Sequence, residues 1–181
     1  MKRRYIIVLA IIVVLALIGL LPLFFPSNEL FKRDNLAGLN GSFETADSGY
    51  PVNWAFGPNP ESDDFYQVSV DITKAQEGDQ SLKLTSNQSE RTVAIRSVRV
   101  PIQPEKTYRI AFSVQNIGCT LKVNRIVQDA SGKTNKRSDI IVDTSTPTSE
   151  WQIFEEPVVV SDDEANVVLI FLVDGPGTLW F

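Results

Sequence analysis

The side chains that could do acid–base or nucleophilic work are unevenly supplied in this sequence. Three acidic runs stand out: Asp63-Asp64, Glu155-Glu156 and Asp162-Asp163-Glu164. Two carboxyl groups facing each other across a cleft can serve as general acid and general base. These runs fall in apparent loops and strand edges without a buried partner, where consecutive acids form a solvated face. There is no His, which excludes Ser-His-Asp and imidazole-base chemistry and His-ligated zinc or iron. The single Cys, Cys119, excludes an intrachain disulfide and a thiolate cluster and reads as a small buried hydrophobe. With 17 Lys+Arg against 22 Asp+Glu, the net charge of -5 argues against a nucleic-acid partner, whose phosphates call for a basic surface. The chemistry left over is that of binding, and an enzyme is not expected.

The first element that must place such a surface is N-terminal. Lys2, Arg3 and Arg4 precede an uncharged run from Tyr5 to Phe25. At about 1.5 Å per residue, a helix of that length reaches about 30 Å, the thickness of the bilayer's hydrocarbon core. No polar face interrupts it. Pro22 and Pro26 mark its end. Basic residues ahead of the span put the N-terminus in the cytoplasm and the remainder outside. Residues 1–26 are therefore expected to be a basic cap and transmembrane signal anchor, with the membrane as a partner through that helix. The competing reading is a cleaved secretory signal, although LPLFFPSN offers no good small-x-small site. Both readings export the rest. Residues 27–37 read as a juxtamembrane linker, and the Asn- and Gly-rich stretch Asn35–Gly41 marks entry into a domain over 38–181.

In that domain the hydrophobic period is two. Tyr108, Ile110, Phe112 and Val114 are apolar and alternate with Arg109, Ala111, Ser113 and Gln115, the pattern of a half-buried strand. Val98/Val100, Leu121/Val123 and Val68/Val70 alternate in the same way. Val167–Val173 is apolar at every position, which predicts a central or covered strand. Turn signals such as Gly57-Pro58-Asn59-Pro60, Ser131-Gly132-Lys133 and Gly175-Pro176-Gly177 recur at intervals of about ten residues. No convincing amphipathic helix appears. The fold class expected is all-β, a sandwich or barrel.

Local signatures then occur in a fixed order. They are Leu39-Asn40-Gly41-Ser42-Phe43-Glu44, Gly49-Tyr50-Pro51-Val52-Asn53-Trp54, Glu77-Gly78-Asp79-Gln80-Ser81-Leu82-Lys83-Leu84, and Pro104-Glu105-Lys106-Thr107-Tyr108-Arg109-Ile110-Ala111-Phe112. Glu150-Trp151-Gln152 and Gly175-Pro176-Gly177-Thr178-Leu179-Trp180-Phe181 complete the set. Over residues 38–181 the chain resembles carbohydrate-binding modules of the family 4/9 and family 22 type. The resemblance implies a galactose-binding-domain-like jelly-roll β-sandwich of two antiparallel sheets. It implies an extracytoplasmic, non-catalytic module whose partner is a polysaccharide or glycan. The alternative on the same fold is a structural or protein-interaction ectodomain, with an envelope protein as partner.

Sugars need aromatic rings for their C–H faces and planar polar groups for their hydroxyls. The candidates are Tyr66, Arg96, Arg109, Gln115, Asn124 and Gln128, with Phe56 and Phe154 as further rings. Trp54 and Trp151 are expected in the core. The resemblance also implies one structural calcium, held by Glu44 and the carbonyl of Asn40.

Overall fold

The structure, a computed structural model, describes residues 40–61, 64–144 and 146–181. The anchor expected over 1–26 and the linker over 27–37 lie outside the described residues. Among the described residues no helix is long and apolar enough to cross a membrane.

The architecture is an all-β sandwich. Its strands are β1 (Ala46–Asp47), β2 (Tyr50–Pro51), β3 (Trp54–Gly57), β4 (Tyr66–Asp71), β5 (Ser81–Ser86), β6 (Thr92–Ser97) and β7 (Val100–Pro101). They continue with β8 (Thr107–Ile117), β9 (Thr120–Gln128), β10 (Asn135–Thr144), β11 (Thr148–Val159), β12 (Asn166–Asp174) and β13 (Gly177–Trp180). One sheet has six strands in the order β10-β9-β12-β6-β3, with β7 beside β12; the other has five, in the order β11-β8-β13-β5-β4. Every pairing is antiparallel, and β1 pairs with β2 alone.

Alternation determines which side chains meet between the sheets. From the five-stranded sheet come Leu82, Leu84, Val114 and Leu179; from the six-stranded sheet come Val93, Ile95, Leu121, Val123, Phe171 and Val173. Phe171 is the hub, with its ring 5.2 Å from Phe112, 5.2 Å from Phe181 and 6.0 Å from Trp54. Trp54 joins this core as expected, and β12 is central with an apolar residue at every position from Val167 to Val173. Cys119 is buried among apolar groups, which raises its thiol to about 11.

Two glycines pass the chain from one sheet to the other. Gly118, at φ +95°, lies in the turn from β8 to β9 and packs on the turn from β12 to β13; a Cβ there would sit 2.9 Å from the Pro176 carbonyl oxygen. Gly177, at φ +155°, leaves no room either, because a Cβ would come 2.3 Å from the Ile117 carbonyl oxygen.

At the opposite margin the sheets are tied by charge. Arg125 on β9 pairs with Asp139 at 2.6 Å and donates to the Pro157 carbonyl on β11. Arg137 on β10 holds Glu164 through Nε at 2.6 Å and Nη2 at 2.9 Å, and donates to the Val159 carbonyl on β11. Glu164 is only 2% exposed and also accepts from the Ser161 N–H. The expectation of acidic runs without a buried partner is thus corrected at Glu164. Asp162 and Asp163 beside it are exposed.

Candidate functional site

The outer face of the six-stranded sheet is where polar groups stand in an apolar setting. The strand registers align Ile140, Asn124, Ile170, Arg96 and Ala55 in one row across β10, β9, β12, β6 and β3. The neighbouring row runs Asp143, Lys122, Leu172, Ala94 and Gly57. On the other side of the first row lie Ser138, Ile126 and Val168. None of these residues is aromatic, since Trp54, Phe56 and Phe171 occupy the alternate, core-facing positions of their strands.

Two groups on this face are unusual. Asn124 Oδ1 is shut off from solvent and has no hydrogen-bond partner among the described residues. A buried carbonyl in that condition ordinarily costs stability unless something accounts for it. Arg96 is exposed, and among the described residues its guanidinium makes no ion pair or hydrogen bond. It lies two strands from Asn124, about 10 Å away at the usual interstrand spacing. Lys122, also on this face, is 3.9 Å from Asp143. The face thus offers an aliphatic floor (Ile170, Leu172, Ile126, Ile140) with an acceptor and a forked donor set into it.

The remaining candidates lie elsewhere. Tyr66 is buried in the core, on the same side of β4 as Val68, and its hydroxyl donates to the Pro58 carbonyl. It has no face to offer a sugar, which corrects its assignment as an exposed ring. Phe56 and Phe154 also pack against the core, Phe154 stacked on Phe112 at 5.3 Å. Arg109 lies on the outer face of the five-stranded sheet, paired with Glu155 at 3.0 Å. It cannot share a face with Arg96 and Asn124, because β8 and β9, though consecutive, belong to different sheets. Gln115 is buried and donates to the Ser149 carbonyl in the bulge of β11 between Thr148 and Gln152; its Oε1 has no partner among the described residues. Gln128 is buried in a loop-bracing network, accepting from Arg99 Nε at 3.2 Å and donating to Asn135 Oδ1 at 3.0 Å.

A calcium ion at this end of the domain would have to be held by Asn40 and Glu44. The Asn40 carbonyl accepts from Trp54 Nε1 and from the Phe43 N–H, and its side chain bonds Thr45 twice and Val52 once. Glu44 accepts from the Asp79 N–H at 3.1 Å. Calcium takes six to eight oxygens, and among the described residues no group of three or more His, Cys, Asp or Glu is gathered to hold a metal. As arranged, Asn40 and Glu44 do not fit the ion: Asn40 instead closes the turn that seats Trp54.

Two antiparallel sheets packed around an aromatic core, with a polar-on-apolar sheet face turned outward, define a β-sandwich module. The chain belongs to the carbohydrate binding domain family of types 4 and 9, whose model matches residues 37–177. Among solved structures it is similar to the enzymatically active domain of tailspike protein 4 of bacteriophage CBA120, at 16% identity and TM-score 0.61 over 78% of this chain and 20% of that one. It is similar to a Clostridium thermocellum endo-1,4-β-D-xylanase 10B fragment of CBM22-1 and GH10 modules complexed with xylohexaose, at 12% identity and TM-score 0.52 over 71% of this chain and 24% of that one. It is also similar to the C-terminal family 22 carbohydrate binding module of the same enzyme, at 17% identity and TM-score 0.50 over 77% of this chain and 86% of the module. The chain therefore spans about a fifth and a quarter of the first two. At these identities the likeness is one of fold. A comparison with curated proteins finds no match.

Proposed function

We propose that this chain is a non-catalytic glycan-binding module, displayed outside the cytoplasm on an N-terminal membrane anchor, and that sugar lies on the outer face of the six-stranded sheet. Asn124 carries the assignment. Its carbonyl oxygen is sealed from water and unpartnered among the described residues, on the outer sheet face of a chain of the carbohydrate binding domain family. A pyranose presents a C–H face, which suits the aliphatic floor of Ile170 and Leu172. Its rim of hydroxyls would accept from Arg96 and, after a turn of the Asn124 amide toward the ligand, donate to Asn124 Oδ1. Anchoring is supported by the charge-free run Tyr5–Phe25 behind three basic residues.

The test is calorimetric titration of the full chain in detergent micelles with soluble xylans, β-glucans and uronans. Saturable binding is expected, weakened by Asn124→Ala and untouched by Arg109→Ala on the opposite sheet. Flat traces across the panel would remove the proposal. Protection of the domain from external protease in vesicles, with the N-terminus on the other side, would test the orientation.

One observation favours a second reading, the protein-interaction ectodomain. The rings of Tyr66, Phe56 and Phe154 are turned inward, whereas Ile153 and Val159 on edge strand β11 stand 62% and 65% exposed. Ile153→Lys on an otherwise intact chain would then abolish co-purification of a stoichiometric membrane partner.

A further inference from the structure

We infer that the glycan this face selects is anionic, bearing carboxylates, with Arg96 as the group that reads the charge. The inference deepens the proposed sugar site and rests on it.

Among the described residues the other arginines are occupied. Arg109, Arg125 and Arg137 are each paired with a carboxylate, Arg99 bonds Gln128, and Arg91 lies over the Phe65 ring at 3.9 Å. Arg96 has no such partner among the described residues. Its neighbours on the outer face are Ala94 along its own strand and Ala55, Gly57, Ile170 and Leu172 across it, and none is acidic. In a protein with an excess of acids, that is a cation left without its counter-charge. A guanidinium offers two parallel N–H donors, which match a planar carboxylate better than any single hydroxyl. The aliphatic groups around it exclude some water and strengthen the pairing. Among the described residues the face also lacks the aromatic ring on which a neutral pyranose would stack. Recognition of a neutral sugar would rest on hydroxyl bonds and aliphatic contact, whereas a uronic acid adds a charge-assisted pair. Asn124, two strands away on the same row, would take a hydroxyl of an adjoining ring.

The probe is polygalacturonate against its own methyl ester, titrated into the full chain in detergent, with neutral xylan and dextran sulfate alongside. The ester keeps the polymer and removes only the charge. Polygalacturonate is expected to bind roughly 10- to 100-fold more tightly than the ester, the range of a charge-assisted hydrogen bond. Arg96→Ala should bring the two together, and Arg96→Lys should recover only part of the difference. Arg96 is exposed, and unchanged melting of both variants would show that the fold is intact. Equal binding of ester and acid, or an Arg96→Ala loss of the same size for both, overturns the anionic preference and leaves the glycan site standing. Dextran sulfate binding as well as polygalacturonate, equally in Arg96→Ala, means a diffuse polyanion effect and also overturns it. No binding of any glycan removes the sugar site itself.

Discussion

Asn124→Leu sets the fold and the site against each other. In a module whose sheet face served only as a surface, Asn124 would be a tolerated polar residue and its loss would matter little. Here Oδ1 is sealed and unpartnered among the described residues, a state that costs about 1–3 kcal/mol. Leu removes that penalty. It also extends the aliphatic row formed by Ile140 and Ile170 on either side. Allowing for some misfit of the branched side chain, a net gain of about 1–2 kcal/mol is expected. For a domain of this size that is a rise of roughly 3–6 °C in Tm. In urea the midpoint should move up with the slope m unchanged, because the surface exposed on unfolding stays the same. Glycan affinity should fall at the same time, since the acceptor is gone. Stability gained and binding lost together is the signature of a group kept for function. A Tm below that of the wild type would refute the reasoning about the orphan carbonyl; a higher Tm with undiminished binding would move the site off this face.

Glu164→Gln should cost about 2–3 kcal/mol in urea unfolding, below the full value for breaking a buried pair because the Arg137 side chain, 35% exposed, can still reach water; a loss under about 0.5 kcal/mol would mean that the Arg137–Glu164 pair does not brace this margin of the sandwich. The Asp71 carboxyl is held down at about 2, first by the Thr73 hydroxyl, then by the Trp180 indole N–H and the Thr73 backbone N–H. Since the folded value lies below the unfolded one, this stabilisation is complete above about pH 4 and is lost as pH falls toward 2. Thermal melts of Asp71→Asn should accordingly show a shallower decline than wild type between pH 4 and 2, and parallel curves would contradict the assignment. Because Asn40 and Glu44 do not fit a calcium ion, EGTA should leave Tm within about 1 °C of its value in millimolar calcium, whereas a rise of several degrees with calcium would restore a metal to Glu44.

Much of the fold was legible in residue order. A pleated strand turns alternate side chains to opposite faces, so Tyr108, Ile110, Phe112 and Val114 could only make a half-buried strand, and the unbroken apolar run Val167–Val173 could only be central. The same rule, carried one step further, marks Tyr66: it has the parity of Val68 and Val70 and follows them toward the core. The floor residues Ile170 and Leu172 were visible too, as the second apolar face of β12.

What alternation cannot supply is the sheet that each strand joins. The turn at Gly118 sends β8 and β9 to different layers, so the polar sides of two consecutive strands, Arg109 on one and Asn124 on the other, face opposite ways. Nor does parity separate a polar residue facing a ligand from one absorbed into the frame. Gln128 is used up by Arg99 and Asn135, and Glu164 by Arg137, through partners 7 to 29 residues away in the chain, while Gln115 donates to Ser149 with its Oε1 unpartnered among the described residues. Local pattern fixes which way a side chain points, because that depends on its own backbone. Whether the group is spent or left over depends on what the packed sheets bring beside it, and only the tertiary structure singles out Arg96 and Asn124.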